Sequence, residues 1–107
     1  MSRGDIVTVV PPGAYGKPRP ALLVHDDAFQ ALPSATLLPI TSDVRDLPPI
    51  RIAIEPGRES GLKRPSQVQI DKIMTVPRTK LGRRIGSLQE PAMETVDAAL
   101  ARFLGLR

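Results

Sequence analysis

The chain has 107 residues and a formal net charge of +4, with 41% hydrophobic and 24% charged residues, no cysteine and one histidine, His25. That length supports one modest core, burying roughly two thirds of the surface an unfolded chain exposes, and the balanced composition excludes wholesale disorder. Disulfide frameworks, zinc ribbons, Cys–His pairs and ordinary Ser–His–Asp triads lose their ingredients, and no apolar run nears the ~20 residues of a membrane span.

Met1–Asp5 leads straight into a strand-like stretch, so no secretory signal is expected and the chain is read as one cytoplasmic domain, residues 1–107. Twelve prolines cut the sequence into short pieces, and proline interrupts both helices and central ladder positions. The β-branched run Asp5–Val10 is the first predicted strand. Pro11 to Pro20 is a loop, with Gly13 and Gly16 permitting tight turns and Lys17 and Arg19 at its exit. It lacks the ending and the following helix of a Walker loop. Ala21–Val24 and Thr36–Ile40 are further short apolar runs. Ile50, Ile52 and Ile54 alternate with Arg51 and Ala53, and Val68 and Ile70 with Gln67 and Gln69, each giving one apolar and one wet face. Several short strands about ten residues apart predict a small antiparallel barrel or sandwich. From Leu88 the period changes: Met93, Val96, Leu100 and Phe103 or Leu104 recur at three and four. Ser87 and Glu90 resemble a capping box and Gly105 a stop, which predicts an amphipathic helix over Leu88–Leu104 packed on the barrel.

Charge is concentrated in the middle. Arg51–Arg84 holds nine basic residues, among them Lys72, Arg78 and Lys80, against three acidic ones. Such a block fits a polyanion, since each neutralised phosphate releases counterions, and it equally fits a solvated basic face. Aromatics are confined to Tyr15, Phe29 and Phe103, which disfavours a platform of stacked bases. Arg19, between Pro18 and Pro20 at the mouth of a strand, is pre-organised either for bidentate phosphate contact or for a surface ion pair. Thr41 and Ser42, just past a strand, can cap the turn with Asp43 or donate to a phosphate. His25, at a strand end, is either an acid–base group or a structural side chain.

Taken in order, RGDIV, RPALLV, LPITS, the SQVQIDKIMTV run with its following LG and IG, and the closing helix ending FLGL resemble the MazF/PemK toxin family from Arg3 to Leu106. The resemblance implies a mainly β, SH3-like barrel with a C-terminal α-helix, acting as a homodimer. It implies the toxin of a type II toxin–antitoxin pair, an endoribonuclease that cuts single-stranded RNA at short motifs without a metal or other cofactor. The expected partners are that RNA and a MazE-like antitoxin whose acidic, disordered tail blocks the RNA groove.

By the same resemblance the catalytic positions fall on Arg19, Thr41 and Asp71, with Lys17, Ser42, Gln69, Lys72, Arg78 and Lys80 as RNA-binding candidates. The chain departs from the family pattern in having Gln69 where some members carry arginine. Its basic residue stands at 72 rather than 74, the same side of a strand by parity. Two other readings stay open at this point: a barrel that binds RNA without cutting it, and a gyrase poison gripping through the C-terminal end of the helix. The end here, Phe103–Arg107, lacks the aromatic pair that grip would use.

Overall fold

The computed structural model describes residues 1–11, 13 and 15–106; Pro12 and Ala14 of the predicted loop, and Arg107, lie outside the described residues. Seven strands run β1 (Asp5–Val9), β2 (Arg19–Leu23), β3 (Ser34–Thr41), β4 (Arg51–Ile54), β5 (Ser66–Gln69), β6 (Met74–Pro77) and β7 (Leu81–Ser87), followed by helix α1 (Ala92–Phe103). All pairings are antiparallel, in the order β4-β5-β3-β2-β1-β7, with β6 also on β3. One edge of β3 carries β2; the other is shared, Ser34–Leu37 pairing with β6 and Ile40–Thr41 with β5. This division curls the sheet.

Strand alternation gives the sheet two apolar faces. Ile6, Leu22, Leu38, Ile40, Ile54, Val68 and Ile70 join Met93 and Val96 of α1 in one core. Their neighbours in sequence, Val7, Val9, Ala21, Leu23 and Leu37, form a second core with Ala35 and Val76. The predicted greasy faces of the Ile50–Ile54 and Ser66–Ile70 runs both point into the first core, with Ile50 and Ile52 packed against it.

Strands β6 and β7 lie beyond the runs that the sequence pattern predicts. The 55–62 segment is closed onto β7, where Ser87 N–H donates to Glu59 O at 2.8 Å. Glycine is needed there because a Cβ on Gly86 would meet the Ser60 carbonyl at 2.2 Å and one on Gly61 the Ile85 oxygen at 1.9 Å.

The helix starts four residues later than its periodicity predicts. Leu88 N–H still donates to Gly4 O at 2.8 Å, prolonging the sheet. The Ser87 hydroxyl accepts from Gln89 Nε2, so the capping box does not form, and Glu90 instead accepts the Glu94 N–H at 3.0 Å. The stop at Gly105 is as predicted: with φ at +75°, it lets Leu106 N–H reach Ala101 O at 2.7 Å and its own N–H reach Arg102 O, the paired bonds of a Schellman ending. Arg3 docks the helix on the sheet, its guanidinium donating to Val24 O and to the Asp97 carboxylate.

Candidate nucleic-acid interface

The β2–β3 register pairs Leu23 with Leu37 and Ala21 with Pro39. Extended by two residues, it sets Arg19 opposite Thr41 on the same face. On the other side of β3, Thr41 pairs with Gln67, and Arg51 of β4 with Gln69. One half of this sheet face is therefore the second apolar core, and the other half is polar. At this polar half opens a cleft of about 470 Å³, in which Arg19, Thr41, Ser42, Gln69, Lys63 and Arg64 stand among the apolar Pro11, Pro20, Pro39, Ile40 and Leu62.

Arg19 begins β2 with an exposed side chain, and Lys63 and Arg64 are exposed as well. The ion pairs among the described residues use Arg3, Arg45, Lys72 and Arg84, so these three cations are in none of them. Their field falls on the cleft. Thr41 is half-buried, and its Oγ1 accepts the Asp43 N–H at 3.1 Å. With that acceptor position taken, the hydroxyl hydrogen is left for a ligand.

Of the residues singled out in the sequence, Arg19, Thr41, Ser42 and Gln69 come together here. Asp71 does not line the cleft. It sits in a 3₁₀ turn, Ile70–Lys72, packed against α1, and its Oδ2 accepts from Lys72 Nζ at 3.4 Å. That turn also removes the strand-parity argument for Lys72, because residues 70–72 are not extended. Lys17 and Lys80 are exposed outside the lining. Arg78 is spent on structure: Nε donates to Leu32 O at 2.7 Å and Nη2 lies 3.0 Å from His25 Nε2. His25 Nδ1 accepts the Thr36 N–H at 3.2 Å, so both ring nitrogens are engaged away from the cleft.

Sequence reading missed Lys63 and Arg64 as cleft residues. Their signal was the basic block itself, but nothing local distinguished them from its other members.

The family described as "PemK-like, MazF-like toxin of type II toxin-antitoxin system" matches residues 2–104. The "Probable endoribonuclease MazF" of Mycolicibacterium smegmatis is 49% identical over 107 residues, covering 99% of this chain and 98% of that one. Among solved structures, the Mycobacterium tuberculosis toxin MazF-mt6 superposes with a TM-score of 0.83 at 27% identity, over 96% of this chain and 98% of its own. A mycobacterial endoribonuclease in complex with its cognate antitoxin gives the same TM-score at 25% identity, over 100% and 97% of the two chains. A half-polar, half-apolar sheet face, a cationic cleft of about 470 Å³ and a match along nearly the whole length converge: the chain belongs to the PemK-like, MazF-like toxin family of type II toxin–antitoxin systems.

Proposed function

We propose that this chain is a toxin endoribonuclease that cuts single-stranded RNA in the Arg19–Thr41 cleft. The 2′-OH attacks the adjacent phosphorus and the P–O5′ bond breaks, leaving a 2′,3′-cyclic phosphate and a 5′-OH. One proton leaves the attacking oxygen and one reaches O5′. Because the substrate supplies its own nucleophile, the protein's task is alignment and stabilisation of a crowded, doubly negative phosphorane. No metal is required for that task.

The Arg19 guanidinium neutralises the nonbridging oxygens, and as a permanently charged, planar, donor-only group it serves charge stabilisation rather than proton transfer. Thr41 donates its free hydroxyl hydrogen to one of them. Ser42, Lys63 and Arg64 hold the flanking strand, and Gln69 offers an amide to a base. Asp71, paired with Lys72 outside the lining, is given no proton-transfer step. The observation that carries this reading is the pairing of an uncommitted guanidinium with a donor-ready hydroxyl on one cleft.

Its partners on this reading are messenger RNA, a second copy of the chain and an acidic MazE-like antitoxin attracted to the same cations; its place is the cytoplasm. No helix of the described residues is long and apolar enough to cross a membrane. Incubating the protein with a long transcript in excess EDTA tests the chemistry. Fragments ending in cyclic phosphate support it. A gel shift without shortening, or 5′-phosphate ends, overturns it.

A further inference from the structure

Gln67 is a polar side chain that the reaction does not touch, yet it is only 8% exposed and both its oxygen and its nitrogen are hydrogen-bonded within the protein. Its Oε1 accepts the Arg45 N–H at 3.0 Å and Arg51 Nη1 at 2.9 Å, while its Nε2 donates to Arg45 O at 2.9 Å. The side-chain amide thus pairs with the Arg45 backbone as a neighbouring strand would, on both the donor and the acceptor side. Arg51 Nη1 adds a bond to Asp43 O at 3.0 Å, so residues 43 and 45 are tied to β4 and β5. Asp43 is also the residue whose N–H donates to Thr41 Oγ1. The side chains of a loop that is otherwise exposed, residues 42–49, give it no other anchorage in the core.

We infer that Gln67 is a positioning residue: by clamping the 43–45 backbone it holds the Asp43 N–H on Thr41 Oγ1 and so fixes the direction in which the Thr41 hydroxyl donates. An unclamped loop lets that N–H drift, and the hydroxyl then rotates to bond water or its own backbone as readily as the phosphorane. The effect belongs in the rate of the chemical step rather than in RNA binding, since Gln67 presents no atom to the cleft lining. This inference rests on the reading of the cleft as the cleavage site.

The test is a double-mutant cycle of Gln67→Ala with Thr41→Val, measured as kcat and KM on a short RNA containing a mapped cut. Gln67→Ala is expected to lower kcat roughly 10- to 100-fold, the scale of a modest misplacement at a reacting centre, with KM within about twofold. In the Thr41→Val background the same change is expected to cost nothing further. Gln67→Glu keeps both acceptor contacts but sets an oxygen against the Arg45 carbonyl in place of the donor, so its kcat should also fall, and it covers the case in which the alanine variant fails to fold. Amide exchange of Asp43 should accelerate in either variant. Equal losses in both backgrounds, or a wild-type kcat in folded Gln67→Ala or Gln67→Glu, overturn the inference while leaving the cleavage site intact. A wild-type rate in Thr41→Val overturns the inference together with the role given to Thr41.

Discussion

Arg19 and Thr41 meet because one antiparallel register joins them: with Ala21 fixed against Pro39, the first residue of β2 and the last of β3 share a face and one cleft. Among the described residues neither is held by an ion pair. The two core residues behind them, Ala21 and Leu37, are 0% exposed, so the register cannot slip without turning the second core to solvent.

Arg19→Ala is expected to remove RNA cleavage while leaving the melting temperature near that of the wild type, because the side chain is exposed and enters no ion pair among the described residues. A loss of about 10²–10³ in kcat is the scale for one missing transition-state donor. Arg19→Lys should recover little, since a point charge does not reproduce the two-pronged contact. Single-turnover cleavage with calorimetry checks both halves.

Lys63 and Arg64 should govern affinity and salt dependence. Replacing either with alanine is expected to weaken RNA binding and to flatten the slope of log K against log salt by about 0.7, the contribution of one phosphate contact on a single strand. The rate at saturating RNA should stay near wild type. Titrations of an uncleavable RNA at several salt concentrations decide it.

Gly86→Ala should destabilise the fold and weaken the site together. The added methyl has only the Ser60 and Glu59 backbone to displace, a strain of about 1–3 kcal/mol, or roughly 5–15 °C in Tm for a domain of this size. Because that backbone leads into Lys63 and Arg64, RNA affinity should fall with it. Thermal melting and a binding titration on the same preparation are the measurements.

Acid sensitivity should carry a contribution from Asp27. Its carboxyl is held below the ordinary value of 3.8, chiefly by the Arg3 backbone N–H at 2.7 Å and then by Gln30. A lowered folded-state pKa adds stability above the unfolded value and loses it as pH falls through the folded one. Asp27→Ala should therefore melt below wild type at neutral pH, with the gap closing as pH drops beneath 3.8. Melting curves from pH 2 to 7 show whether it does.

The first five strands are legible because each is a short apolar, β-branched or alternating run set off by turn residues, and those apolar side chains do enter the two cores. β7 is not legible. Its sequence, LGRRIGS, carries Gly82 and Gly86 for close backbone approach and exposes Arg83 and Arg84, so neither pattern nor propensity marks a strand. Periodicity sets the helix start too early because Leu88 is apolar in phase with the helix yet bonds to Gly4 as a strand extension.

The site divides the same way. Arg19 and Thr41 follow from strand ends and motif order, whereas Lys63 and Arg64 reach the cleft only through closure of the 55–62 segment on β7, a contact between residues far apart in sequence. Gln67 alternates as a wet-face residue and is nevertheless buried, because the 43–45 backbone folds over it.

If the RNA's own 2′-hydroxyl is the nucleophile held against Arg19 and Thr41, removing that one oxygen must stop the cut. Once a cut is mapped on a transcript, a short RNA carrying a single 2′-deoxy nucleotide immediately 5′ of the scissile phosphate tests it. This oligonucleotide is expected to bind with unchanged affinity and to stay intact at that bond; cleavage there at the all-RNA rate rules out the 2′-hydroxyl as the nucleophile.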